Sequence, residues 1–281
     1  MMRHRETHRT EGAGMGEHQS SADRRPGVRE VKSAARTIEI LEQLAARGNE
    51  PITIRELCQA IDAPRSSLYA LLRTLIEAGW VRTDASRSLY SIGIRALLAG
   101  TTYLDADPLL KVVRPHMSRL GQRVGATVHF GRLDGTDIVY LATWEAPGRG
   151  REAPRLGRRL PAYSTALGQS ILARLGPDAA AHFPAALAPV GPGTLTSRQA
   201  LEEALSATRR RGYALEREQS AAGLACLAVA VDGPAPTPDA LSVSMAVEDL
   251  VPDREREVAA ALEEAASAVA EILDALGERL A

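Results

Sequence analysis

The chain has 281 residues, with 34 Lys and Arg against 35 Asp and Glu, a formal net charge of −1 and two cysteines. That length supports two domains with cores of their own, and the near-neutral balance excludes a uniformly basic nucleic-acid coat. Cys58 and Cys226 lie far apart in apolar runs, which excludes a disulfide framework or a zinc-ligand spacing.

No apolar run approaches the roughly 20 residues of a membrane span. The N-terminal arginines are followed by no apolar leader segment, so no secretory signal is expected. The expectation is a cytoplasmic protein in a reducing compartment, with no membrane partner, no metal and no cofactor.

Residues 1–28 are polar and aperiodic, and Glu6, Glu11, Glu17 and Asp23 interleave their basic residues. A disordered, solvated tail is expected there, in preference to a basic arm that touches DNA. Ser33 to Arg47 reads as the first helix, with Ala34, Ile38, Leu41 and Ala45 inward and Gly48 at its end.

The stretch from Ile52 to Gly93 is the most informative. Thr53 followed by Glu56 is a capping box, and Ile52 with Leu57 can form the hydrophobic staple. Ile54, Leu57, Cys58 and Ile61 then repeat at the helical period. Asp62-Ala63-Pro64 breaks the chain, with Pro64 suited to the first turn of a second helix. That helix turns Leu68, Leu71, Leu72, Leu75 and Ile76 inward and leaves Ser66, Tyr69, Ala70 and Arg73 on the opposite face, with Arg65 at its N-terminal edge. Two short amphipathic helices joined by a tight turn describe a helix-turn-helix.

Trp80–Thr83 and Ser88–Ser91 follow as short strands around the turn at residues 84–87, which makes a wing. Arg65, Ser66, Ser67, Tyr69 and Arg73 are the candidate groove-reading residues. Arg82 and Arg87 on the wing are candidate phosphate contacts.

Beyond the wing, Ile92–Leu104 reads as a connecting helix, and Pro108 opens another helix that runs to Val124. The period then changes. Thr127–Arg132 and Asp137–Ala142 are strand-like around an Asp134-Gly135 turn. Residues 145–159, with Gly, Pro and five arginines, read as a solvated loop before either a phosphate contact or a flap over a ligand. Helices are expected from Thr165 to Leu175 and from Ser197 to Arg211, strands over Cys226–Val231 and Ala240–Val247, and a final helix from Pro252. In that last helix Val258, Leu262, Ala265, Val269, Ile272 and Leu276 form the inner stripe. Strands grouped between helices point to an α+β second domain.

Cys226 or Ser164 could serve as a nucleophile, but His129 and His182 lie in unrelated segments. No nucleophile elbow, zincin pair or phosphate-binding glycine loop is present. No catalytic residue is assigned. A scaffold protein with no operator preference is the other alternative.

Over nearly its whole length after the tail, the sequence resembles the IclR (isocitrate lyase regulator type) family of transcription factors. The residues that carry the resemblance are Pro64-Arg65-Ser66-Ser67, Leu71-Leu72 and Tyr90-Ser91-Ile92-Gly93 in the first part. Thr165-Ala166-Leu167-Gly168, Leu172-Ala173, Arg211-Gly212-Tyr213-Ala214, the run from Gly223 to Ala228 and Ser242-Val243-Ser244 carry it in the second. The chain departs from the family pattern at Gln169, Glu216 and Gln219, where Lys, Asp and Glu are usual, and at Leu68-Tyr69-Ala70.

The resemblance implies a winged helix-turn-helix over residues 29–92, a linker helix over 93–106 and a GAF-like effector-binding domain with an antiparallel sheet over 107–281. It also implies homodimers or homotetramers on a roughly palindromic operator in double-stranded DNA. Taken with the alternation of side chains along the last strands, it implies an effector site of Ala166, Leu167, Glu216, Cys226, Ser242 and Ser244. The helix that starts at Thr165 offers backbone amides to an anion, and the other residues offer hydroxyls, a thiol and a carboxylate. A small organic acid or sugar-like effector fits. Repression of a catabolic or metabolic operon is the expected output, with activation as the alternative.

Overall fold

The structure, a computed structural model, describes residues 31–48, 50–147, 156–232 and 238–280, with side chains described as far as 276. The polar tail and Arg149, Arg151 and Arg155 of the arginine-rich loop lie outside the described residues. The chain divides between Gly93 and Ile94 into two compact units.

The first unit comprises α1 (Lys32–Ala46), β1 (Ile52–Thr53), α2 (Ile54–Ile61), α3 (Arg65–Glu77), β2 (Val81–Thr83) and β3 (Leu89–Ile92). The capping box forms as the spacing predicts. The Thr53 amide donates to Glu56 Oε2 at 2.9 Å, and the Glu56 amide donates to Thr53 Oγ1 at 3.3 Å. Ile52 and Leu57, the staple pair, are both fully buried. Asp62 turns the chain with φ 49°, and Pro64 stands extended as the N-cap of α3, one residue before the helical position expected for it.

α1 differs from its expected face. Ile40 and Leu44 are buried, with Leu41 at their edge, whereas Ala34, Ile38 and Ala45 are exposed. The bulkier i, i+4 pair buries more apolar area than two alanines would, and this sets the rotation of the helix. The sheet order is β1-β3-β2, so the wing hairpin gains a third strand, two residues long, from the segment that also caps α2. Gly93 closes the unit. Its amide donates to the Trp80 carbonyl at 2.7 Å, and a Cβ there would lie 2.3 Å from the Gly79 carbonyl oxygen. Ile92 is therefore still strand, and the connecting helix starts later than its periodicity predicts.

The second unit runs α4 (Ile94–Ala106), α5 (Pro108–Val124), β4 (Thr127–Asp134), β5 (Asp137–Trp144), β6 (Arg159–Pro161), α6 (Ala166–Leu175), α7 (Arg198–Arg211), β7 (Ala214–Arg217), β8 (Leu224–Val231), β9 (Asp239–Ala246) and α8 (Pro252–Leu280). The strands form one antiparallel sheet in the order β6-β5-β4-β9-β8-β7. Leu227, Leu241, Val243 and Met245 pack with α5 and α8 on one face, while Cys226, Ala228 and Ala240 pack with α6 and α7 on the other. This is the alternation expected along β8 and β9. In α8 the buried stripe continues from Val258, Leu262 and Val269 to Leu273, and Ile272 and Leu276 lie partly exposed beside it. β6 and β7 are additional edge strands.

A polar clamp ties the α4–α5 junction to the middle of the sheet. Arg132 on β4 grips Asp239 on β9 with Nε and Nη2 at 2.8 and 2.6 Å. Its Nη1 donates to Asp107, the N-cap of α5, at 2.7 Å and to the Tyr103 hydroxyl of α4 at 2.8 Å. Both carboxylates are buried, and the forked guanidinium supplies the donors that make their burial tolerable.

Candidate functional site

The first candidate surface is the outer face of α3. Leu68, Leu72 and Leu75 commit one side of the helix to the core, and the 3.6-residue period then fixes what faces outward. Ser66, Tyr69, Ala70 and Arg73 are all exposed. The Arg65 guanidinium lies 5.4 Å from the centroid of the Tyr69 ring, and its Nη2 donates to the Tyr69 hydroxyl at 3.0 Å, so the two side chains form one cationic unit. Arg73 pairs with Glu77 at 3.4 Å, both largely exposed. Such a surface pair holds by no more than about 1 kcal/mol, so Arg73 can exchange it for a phosphate or a guanine edge at small cost.

Ser67 is placed differently. It is half-buried, and Arg36 of α1 donates to its hydroxyl at 3.4 Å. It therefore faces the first helix, away from the Tyr69–Arg73 side. Arg36 is a cation next to this surface that no sequence pattern singled out.

The wing tip is built around Asp84. Its carboxylate accepts from the amides of Ser86, Ser88 and Leu89 at 3.2, 2.8 and 2.8 Å, and from the Ser86 hydroxyl. The Ser86 hydroxyl and the Leu89 amide hold its carboxyl well below the usual carboxylate range. Arg87 takes the left-handed conformation at φ 56°, where few non-glycine residues settle. Both Arg87 and Arg82 are exposed.

The second candidate is a cavity between α6 and the sheet, lined by His129, Tyr140, Thr165, Ala166, Leu167, Glu216, Ser220, Cys226 and Ser242. The strand register explains the grouping, because His129 pairs with Ser242 and Glu216 pairs with Cys226. Of the residues proposed from sequence, Ala166, Leu167, Glu216, Cys226 and Ser242 meet here. Ser244 is buried farther along β9, opposite Thr127, and does not reach the lining. His129, Tyr140, Thr165 and Ser220 complete the wall.

Thr165 caps α6 by accepting the Gly168 amide at 3.0 Å. A Cβ at Gly168 would fall 2.2 Å from the Ala162 carbonyl oxygen, so only glycine lets the helix start this close to the preceding turn. The amides of Ala166 and Leu167 lie in the first turn, where helices lack internal acceptors and favour an anion.

Glu216 is fully buried. Its Oε2 accepts the Gln219 amide and its Oε1 the Ser220 hydroxyl, each at 2.8 Å. Burial pushes the carboxyl up, against the pull of the Cys226 thiol and the Gln219 and Ser220 donors. His129 Nδ1 lies 3.0 Å from Thr143 Oγ1, and its ring meets Tyr140 edge-on at 5.4 Å. The cavity measures about 10 Å³, room for about one water molecule. Among the described residues no group of His, Cys, Asp and Glu could hold a metal ion, and no helix is long and apolar enough to cross a membrane.

Comparison with known proteins covers both units. The model of the bacterial transcriptional regulator IclR C-terminal domain matches residues 101–271, and that of the IclR helix-turn-helix domain matches residues 33–85. The HTH-type transcriptional regulator XynR of Escherichia coli is 31% identical over 206 residues, covering 72% of this chain and 80% of its own. The transcriptional repressor IclR of the same organism is 29% identical over 249 residues, covering 87% and 90%. Among solved structures, Thermotoga maritima IclR superposes with a TM-score of 0.63 at 25% identity, over 86% of this chain and 98% of its own. An IclR homologue of Microbacterium hydrocarbonoxydans, solved with 4-hydroxybenzoate, gives 0.70 at 23% identity, over 86% and 99%, a likeness of fold.

Proposed function

Because the chain belongs to the IclR family of bacterial transcriptional regulators, we propose that it represses a catabolic or metabolic operon in the cytoplasm and is controlled by a small organic-acid or sugar-like effector. The observation that carries this reading is the outward face of α3, where Arg65, Tyr69 and Arg73 stand in solvent on a helix whose other side is fully engaged in the core. In the groove, Arg65 and Arg73 pair with guanine edges or phosphates, and Ser66 and Tyr69 add shorter hydrogen bonds. Arg82 and Arg87 hold the backbone and set affinity and its salt dependence. Ser67 supports the helix through Arg36.

A homodimer, in which two heads meet a roughly palindromic site, is the assembly this reading requires. α4 supports it. Among the described residues this helix buries none of its own, and Ile94, Leu97 and Leu98 are each more than half exposed. A second copy of the helix covers that stripe, and pairing of dimers gives the tetramer. A repressor needs only to occupy a promoter, so no polymerase-contacting surface is required.

The effector site is the cavity between α6 and the sheet. An acceptor group of the effector lies on the Ala166 and Leu167 amides, and its donors meet Glu216 and Ser242. Binding alters operator affinity only in so far as the effector prefers one arrangement of the heads, and α4 is the continuous element between head and receptor. The reading involves no catalytic step and no cofactor.

The test is to sequence the genomic fragments that the purified protein selects, then to repeat the selection with Arg73→Ala. Enrichment of a shared palindromic sequence by the wild type, lost in the variant, is the expected result. Unenriched fragments, or equal enrichment by both proteins, would refute the assignment.

A further inference from the structure

A cavity of about 10 Å³ is far too small for an organic effector, so some part of its wall has to move. His129, Tyr140, Cys226 and Ser242 belong to strands within a six-stranded ladder. Thr165, Ala166 and Leu167 start a helix seated against Ala162 with no space for even a Cβ at Gly168. Ser220 alone among the lining residues sits on a connection, the loop 218–223 between β7 and β8.

That loop is latched across the site. Glu216 holds it through the Gln219 amide and the Ser220 hydroxyl, and Gln169 of α6 donates to the Gln219 side chain at 2.6 Å. On its other side the loop docks on residues 191–194. The amides of Gly191 and Gly193 donate to the carbonyls of Gln219 and Glu218 at 3.0 and 2.9 Å, and the Thr194 hydroxyl donates to the Gln219 carbonyl at 2.8 Å. The approach is so close that a Cβ at Gly191 would lie 2.4 Å from the Glu218 carbonyl oxygen. Glu218 sits at φ 55°, a strained conformation for glutamate.

We propose that the loop 218–223 is the gate of the effector site, with Glu216 as its latch. The inference rests on the effector reading given above. Opening takes the Gln219 and Ser220 donors away from a buried carboxylate, which is costly unless other donors replace them. The entering molecule therefore presents hydrogen-bond donors, such as hydroxyls or an amine, to Glu216. A compound with acceptors only leaves the latch closed.

Cys226 lies behind the gate and reports on it without any effector. In a Cys58→Ser background, the rate at which methyl methanethiosulfonate modifies Cys226 is measured for the full chain and for two variants. Gly191→Ala pushes the loop from its dock, and Gln219→Ala removes the bond from Gln169 while keeping the backbone ties. Modification is expected to accelerate about 10-fold or more in Gly191→Ala, which loses its dock to a steric clash, and about 2- to 10-fold in Gln219→Ala, which loses one hydrogen bond. Urea unfolding of each variant gives the global opening constant for comparison. Unchanged rates in both variants, or rates that rise only in step with global unfolding, would overturn the gate. Neither measurement uses DNA or effector, so failure of the regulatory reading would appear in the genomic selection and leave these rates untouched.

Discussion

The outer face of α3 and the cavity beneath α6 are both polar, but they hold their polar groups in opposite ways. On α3 the side chains stand in water. Arg73 is 82% exposed, and its partner Glu77 is nearly as open. In the cavity Glu216 has no exposure at all, and a backbone amide and a hydroxyl occupy its two oxygens. A surface that meets a polyanion gives up only solvent and weak pairs, so it can be presented ready-made, and its affinity follows salt. On the proposed reading, a molecule entering the cavity has to displace the hydrogen bonds on Glu216 first. That cost makes the cavity selective for ligands that restore them.

The sharpest way to test this separation is to damage one unit alone. Leu72 is 1% exposed in the small core of the head. Leu72→Ala is expected to cost about 2–5 kcal/mol, enough to unfold a unit of this size. The two tryptophans serve as reporters, since Trp80 lies in the first unit and Trp144 in the second. In a Trp144→Phe background the Trp80 unfolding transition should collapse, while the reciprocal Trp80→Phe background should leave the Trp144 transition near its wild-type midpoint. Equal loss of both transitions would show that the units do not fold independently.

Next in size is Arg73→Ala. A bidentate arginine contact is worth about 1–3 kcal/mol, so operator affinity should fall roughly 5- to 150-fold. Folding stability should move by less than about 0.5 kcal/mol, because the residue is exposed. Fluorescence anisotropy with the selected operator measures the first and urea unfolding the second. Loss of the oligomer would instead mean that this face joins two protomers.

Arg82→Ala and Arg87→Ala should act more gently and without regard to sequence. Each phosphate contact removed should lower the slope of log K against log salt by about 0.9, with similar weakening on operator and non-operator DNA. A selective loss on the operator would make the wing a base reader.

The difference between the two sites also explains how far the sequence could be read. The α3 face was legible because local rules set it. The Thr53–Glu56 box, the staple and a run of leucines at helical spacing fix one side of the helix, and what remains faces outward. Alternation likewise placed Ser242 and Cys226 on the α6 side of the sheet. The sequence sets His129 in a segment unrelated to Cys226 and does not single out Tyr140, because their place in the wall with Cys226 depends on β4 pairing with β9, a contact between residues more than a hundred positions apart. Ser220 was missed for a related reason, since only the fold brings the β7–β8 connection over the cavity. Ile38 and Ile272 failed differently. Periodicity names a face only to within about one residue of rotation, and the buried places went to Ile40 and Leu44 in α1 and to Leu273 in α8.

The smallest expected effect is the most specific to the buried site. Burial raises the Glu216 carboxyl above its ordinary value of 4.5, so the folded protein binds that proton more tightly than the unfolded chain does. Stability from this group is fully present below the unfolded pKa and is lost as pH rises through the higher folded value. Glu216→Gln removes the titration. Amide for carboxylate also loses an acceptor for the Gln219 or Ser220 donor, so the variant need not be more stable at any one pH. The difference in unfolding free energy, variant minus wild type, should nevertheless grow as pH climbs from about 4 toward neutrality. A falling difference for Glu216→Gln would mean that its hydrogen bonds outweigh its burial, and the carboxylate would then be a comfortable structural anion rather than a strained latch.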